Sequence, residues 1–406
     1  MLKKLFIFAL FLTALWYVVS SNPNQPFQAS VLQNKAPEIH FWGIYDLPDI
    51  YNPIIDAFQK QHPRVKIFYK QFPNTEEYHQ VLLAQLEKGR GPDIFLFSDQ
   101  NKDQYWPYLT PTTAELSEGF TPIAKRDFIS NRLLYALPYW VDSLMLYYNK
   151  RYYPEGVPTQ WYDLAELSRT LSTGGIAMGR FDNLKSGWDI LKTLFLQKDI
   201  KLEGKPENSL YDTLEFFTRF AYPIDRYFNW NEKLSKDYPD LEIDSFVRKK
   251  VAAIAGYPSL YYHLLLKIDQ LEAQGMTRIK KEDIGVSTFP QFDPENPDYL
   301  AKYMAIGVSM ASENTTLSWE FIRALTSENN SAYYQQVTGR TPGRILPVHD
   351  EESEMTRVQK EQLINSSTLQ IKPEAVKIIE DIVKRGVLDK RVLLEILNVE
   401  NLNPKP

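Results

Sequence analysis

Between Glu38 and Phe97 the chain alternates between segments of strand period and segments of helix period, and few folds accept that order. Glu38 to Trp42 reads as a strand. Asn52-Pro53 offers a cap and a first-turn proline to a helix with the apolar face Ile54, Ile55 and Phe58, and His62-Pro63 ends it. Val65, Ile67 and Tyr69 form a second strand. Asn74 with Glu77 has the spacing of a capping box before Tyr78, Val81, Leu82, Gln85 and Leu86, and Gly89 closes that helix. Ile94 to Phe97 is a third, buried strand. Strand, helix, strand, helix, strand predicts a doubly wound α/β unit with a parallel sheet. Such sheets receive ligands beyond the carboxyl ends of their strands, which selects Trp42 after the first strand and Ser98 and Asp99 after the third.

The run Leu134 to Arg151, LYALPYWVDSLMLYYNKR, is apolar and strand-like apart from one acid, Asp142. A carboxylate inside a buried strand is costly without a partner or ligand, so Asp142 is a site candidate. Trp140, two residues earlier in an alternating segment, shares its face. After Asn149-Lys150 a second unit of the same kind starts. Thr159 is placed to cap a helix reaching Leu171, Ile176 to Met178 is a strand, and Ser186 to Leu196 a helix. Val251 to Ala255, Ile284 to Phe289 and Lys302 to Ala311 are further strands, and helices are expected from Ser259, from Thr315-Thr316 and over Ser331 to Thr338.

A chain of 406 residues exceeds one ordinary core and suits two domains. With 44% hydrophobic and 24% charged residues the chain is globular rather than disordered, and a net charge of -5 argues against nucleic acid. Residues 1–21 have the layout of an export signal: Lys3-Lys4, an apolar stretch from Leu5 to Val19, then Ser20-Ser21. That stretch is shorter than the roughly 20 residues of a membrane span. A cleaved signal and an uncleaved membrane anchor both remain open, and residues 22–36 read as a linker. The absence of cysteine excludes disulfides, thiol catalysis and a lipid-modified cysteine anchor. Five histidines lie scattered without metal spacing, and no phosphate loop, dinucleotide fingerprint or nucleophile elbow occurs. No metal, cofactor or enzymatic activity is expected.

Four segments resemble the extracellular solute-binding proteins of ABC importers, the maltose-binding-like family 1. They are FQKQHP from Phe58, GRGPDI from Gly89, the run with Tyr135, Ala136, Pro138, Asp142, Tyr148, Asn149 and Lys150, and TSENNSAYYQQVTGRTPGR from Thr326. They follow the family's order and span about Glu38 to Arg344. The resemblance implies a two-lobed periplasmic-binding-protein (type II) α/β fold, each lobe a doubly wound, mainly parallel sheet, hinged where the chain crosses between lobes. It implies an N-lobe of residues 37–140 plus 298–340 and a C-lobe of 143–290 plus 345–406. The crossings would lie near 141–142, 288–297 and 341–344.

The resemblance also implies a small solute, an oligosaccharide by first choice, held between the lobes of an exported monomer and passed to ABC permease subunits. It adds Asp46, Asn183, Trp188, Tyr257 and Arg340 to the candidate ligand contacts. Arg180 and Ser186 belong to the same loop as Asn183, and the structural reading is preferred for Arg344. Sugar-binding relatives carry Gly-x-Trp where this chain has Gly256-Tyr257-Pro258, so saccharide stacking would rest on Tyr257. The rival expectations are a glycan-adhesion or scaffold module of the same fold, and a glycoside hydrolase using a carboxylate pair such as Asp99 and Asp142.

Overall fold

A computed structural model describes residues 36–182, 184–200, 208–221, 241–276, 278–347 and 353–385. The export-like segment 1–21, the linker up to residue 35 and Asn183 lie outside them.

The first unit consists of β1 (Glu38–Ile44), α1 (Pro48–Gln61), β2 (Lys66–Phe72), α2 (Thr75–Leu86) and β3 (Ile94–Ser98). β1 pairs in parallel with both β2 and β3, giving the order 2-1-3 within the parallel sheet that the alternation predicts. Helix α1 begins five residues before the predicted start, and Pro53 lies inside it. The reason is packing. Tyr51, fully buried, extends the stripe of Ile54, Ile55 and Phe58 backward at helical spacing, while Pro48 supplies the fixed φ of the first turn. Asn74 caps α2 by accepting from the amides of Glu76 and Glu77.

The run that carries Asp142 forms β4 (Ala136–Ser143) and β5 (Met145–Asn149), separated only by Leu144. Its two halves belong to different sheets. The second sheet adds α3 (Trp161–Thr170), β6 (Gly174–Ile176), α4 (Gly187–Gln197), α5 (Leu241–Val247), β7 (Val251–Gly256), α6 (Ser259–Ala273) and β8 (Ile284–Ser287). Its strand order is β6-β7-β5-β8, with β6 parallel to β7 and β5 antiparallel to both its neighbours. Thr159 does not cap α3. Gln160 holds that position, and the Thr159 carbonyl accepts instead from the Gln291 amide.

The chain then re-enters the first sheet as β9 (Tyr299–Ser309), antiparallel to β3 on one side and to β4 on the other. Helices α7 (Thr315–Leu325) and α8 (Glu328–Thr338) follow, and Gly339 closes α8 with a φ of 70°. Residues 341–343 run beside β4, where the Val141 amide donates to Thr341 at 2.8 Å and Gly343 donates to Tyr139 at 3.0 Å. Helix α9 (Glu354–Leu363) lies against the place where β4 passes into β5. The buried apolar residues gather accordingly around each sheet, one cluster about Phe41, Phe97 and Ile306 and others about Leu146, Trp161 and Ile254. The molecule is two α/β lobes joined by crossing strands.

Candidate ligand-binding cleft

Between the lobes lies a cleft of about 930 Å³. Its N-lobe wall is made of strand ends. Tyr45 follows β1, Ser98 and Asp99 close β3, Trp140 and Asp142 come from β4, and Lys302 and Tyr303 from β9. Arg340 enters from the turn after α8, while Tyr257 and Tyr262 approach from the β7 edge and α6 of the C-lobe. Six of the ten candidates therefore share this surface: Ser98, Asp99, Trp140, Asp142, Tyr257 and Arg340.

Asp142 is buried, and its Oδ1 accepts the Thr341 amide at 3.2 Å, so the acid is tied to the adjacent crossing. Burial pushes its pKa up to about 6, against the opposing pull of that amide and of Arg340. Asp99 is pushed to about 6 by the same cause, despite a bond from the Tyr303 amide and attraction to Lys302. The guanidinium of Arg340 lies 4.9 Å from the Trp140 ring centre, a cation–π contact at the cleft wall.

Lys302 and Asp142 are cross-strand partners in the β4–β9 register. The Lys302 ammonium does not turn to Asp142. It reaches Asp189 Oδ2 in the first turn of α4 at 2.8 Å and lies 4.5 Å from the centre of the Tyr257 ring. That ring face is therefore already covered, and burial and the Asp189 charge hold the Tyr257 hydroxyl well above its usual range. Beyond Tyr257 a second compartment of about 540 Å³ opens into the C-lobe. Ser186 lines it and donates through Oγ to Glu242 at 3.1 Å; burial pushes that glutamate to about 7.

Three other candidates stand elsewhere. The predicted first strand ends at Trp42, but β1 runs on to Ile44, so the carboxyl edge falls at Tyr45. Trp42 packs sideways on Phe72 at 5.2 Å with the Lys70 ammonium 4.9 Å from its ring. Asp46 turns into the N-lobe and is 4% exposed. Its carboxylate accepts the hydroxyls of Tyr51 at 2.8 Å and Tyr334 at 2.9 Å, and pairs with Arg340 at 3.2 Å. It positions a cleft residue without lining the cleft. Trp188 stacks on Phe181 at 4.5 Å and donates through Nε1 to Glu380 at 2.8 Å, on another face of α4 from Asp189.

Sequence reasoning missed Tyr45, Tyr262, Asp189 and Lys302. Lys302 carried a signal, since it is the one charge in the buried strand YLAKYMAIGVS and stands opposite the one acid of β4.

The chain matches the family model of the bacterial extracellular solute-binding proteins over residues 46–332. It belongs to that family. Solved structures of similar shape include the sugar-binding protein MalE of Xanthomonas citri, with a TM-score of 0.72 at 16% identity over 90% of this chain and 97% of that one. The maltose complex of Listeria monocytogenes MalE gives 0.66 at 16% identity, covering 90% and 97%. Maltose-bound MalE3 of T. maritima gives 0.64 at 15%, covering 90% and 99%. At such identities the likeness establishes the two-lobed fold. Membership in this extracellular family also places the protein outside the cytoplasm. Among the described residues, no helix of this solute-binding protein is long and apolar enough to cross a membrane.

Proposed function

We propose that this solute-binding protein is a monomeric, non-enzymatic receptor that closes its lobes around a sugar and delivers it to the permease subunits of an ABC transporter. The observation that carries the reading is the interlobe cleft of about 930 Å³, whose wall sets aromatic rings beside carboxylates and a guanidinium. Rings suit the apolar faces of a sugar, and charged groups suit its hydroxyls. Structures of the same fold were solved with maltotetraose and with acarbose, which supports a carbohydrate for this chain as well.

Ligand would favour the closed form by binding it more tightly than the open one. Residues 1–21 would serve export, either cleaved or kept as the membrane tether. Thermal shift against a panel of mono- and oligosaccharides, amino acids, polyamines and polyol phosphates tests the reading. A rise in melting temperature with a sugar is expected. A rise with another class alone would overturn the carbohydrate assignment.

A further inference from the structure

Three residues line both the interlobe cleft and the second compartment: Tyr257, Ser259 and Lys302. The partition between the two spaces is therefore made of them. Tyr257 is fixed from behind. Its carbonyl accepts from the Tyr147 hydroxyl at 3.0 Å, and α6 packs so closely on the end of β7 that a Cβ at Gly256 would come within 2.9 Å of the Leu260 Cβ. Ser259 is the first residue of α6. Lys302 is the one residue of β9 that is not buried, and its side chain leaves the first sheet to reach Asp189 on α4 of the C-lobe, with the ammonium over the Tyr257 ring. The Asp189 side chain is 12% exposed, so the pair is shielded from water more than a surface pair and is held more firmly. On either side of the partition the walls suit the same chemistry. The cleft offers Asp99, Asp142 and Arg340, and the compartment offers Ser186, Glu242 and Gln270. Carboxylates, amides and hydroxyls of this kind pair with the hydroxyls of a sugar. A chain of sugar units that filled the cleft would meet the partition before it reached the compartment.

We propose that the Lys302–Asp189 ion pair, lying over Tyr257, is a bolt that limits the length of the oligosaccharide this receptor holds, which makes Lys302 a specificity-determining residue. The bolt rests on the sugar-binding reading of the same cleft. Lys302 acts by staying across the opening and needs no bond to the ligand. Without the ion pair its flexible stem is free to swing aside, and cleft and compartment become one space.

Calorimetric titration with two ladders, maltose to maltotetraose and cellobiose to cellotetraose, tests the bolt through the ratio of tetrasaccharide to disaccharide affinity. Lys302→Ala, which withdraws the bolt, should raise that ratio about tenfold over the wild type. Asp189→Asn keeps an acceptor but not the charge, and should raise it about threefold. Lys302→Arg restores a cation to Asp189 and should stay within about twofold of the wild type. If the wild type binds a sugar and neither Lys302→Ala nor Asp189→Asn changes the ratio, the bolt is wrong and the sugar reading stands. Should Lys302→Ala fail to fold, Asp189→Asn decides alone. An equal loss of affinity at every length in Lys302→Ala would make Lys302 a ligand contact and overturn the bolt. A ratio in Lys302→Arg as high as in Lys302→Ala would show that the ion pair does not close the opening. A wild type that binds no sugar of either ladder overturns the sugar reading and the bolt together.

Discussion

Gln359 and Ser143 exchange two hydrogen bonds: the Ser143 amide donates to Gln359 Oε1 at 2.9 Å, and Gln359 Nε2 donates back to the Ser143 carbonyl at 2.8 Å. A side-chain amide thus imitates a strand neighbour where β4 gives way to β5. Gln362, one turn along α9, donates to Ser143 Oγ at 2.7 Å and Leu144 O at 3.0 Å, and accepts from the Phe289 amide at 2.7 Å. Two crossings are therefore held by one helix through two fully buried glutamines.

Gln359→Ala would orphan a buried amide and a buried carbonyl. A loss of about 2–4 kcal/mol in unfolding free energy is expected, read from urea titration. Gln359→Glu, which keeps an acceptor for the amide but sets a buried carboxylate against the Ser143 carbonyl, should cost at least as much as the alanine variant at neutral pH. A loss under about 0.5 kcal/mol for the alanine variant would show that water replaces the glutamine and that α9 does not brace the crossing.

Lys302 and Asp189 join β9 to the first turn of α4. Removing the lysine leaves the buried Asp189 carboxylate without its ion pair, so Lys302→Met should destabilise by about 1–3 kcal/mol. Asp189→Asn in the same chain should recover part of that loss. A double-mutant cycle should return a coupling near or above 1 kcal/mol, and a coupling near zero would reduce the contact to a solvent-screened neighbour.

Much of the fold could be read from the sequence because its signals are local. The alternation of elements over 38–97 and the Ile54, Ile55, Phe58 stripe follow from residue spacing alone. Asp142 stood out as one charge in a buried strand. What escaped depends on distant residues. Asp46 turns inward because of Tyr334 and Arg340, which are far along the chain, and Trp42 misses the cleft because β1 continues for two residues more. Gln359 and Gln362 were invisible for another reason: polar residues in a charge-rich amphipathic helix look solvent-facing until a crossing strand packs on them. Tyr45 was hidden by its backbone, since no L residue announces a positive φ.

Asp99 and Asp142 predict the direction of the pH dependence. Their folded pKa values, about 6, exceed the ordinary 3.8, so the native state holds more protons than the unfolded chain between about pH 4 and 6. Their effect is to make stability fall as pH rises through that window and level off above it. Asp142→Asn keeps an acceptor for the Thr341 amide while removing the charge. It should stabilise the ligand-free protein at pH 7.5 by on the order of 2 kcal/mol and flatten the profile between pH 4 and 6. An unchanged profile would mean that Asp142 is better solvated than its burial indicates.

Asp46 separates positioning from contact. Asp46→Ala would strip the Tyr51 and Tyr334 hydroxyls of a buried acceptor and leave Arg340 without its ion pair, and a loss of about 3–5 kcal/mol in unfolding free energy is expected. Asp46→Asn keeps an acceptor for the phenols and gives up the charge, so it should cost less, about 1–2 kcal/mol. Arg340 would then be held less firmly against the Trp140 ring. Binding by Asp46→Asn should weaken by a factor similar to that of Arg340→Met, and the double variant should be no weaker than Arg340→Met alone, because Asp46 acts on ligand through Arg340. Additive losses in the double variant would show that Asp46 reaches the ligand by another route, which its 4% exposure in the ligand-free protein argues against.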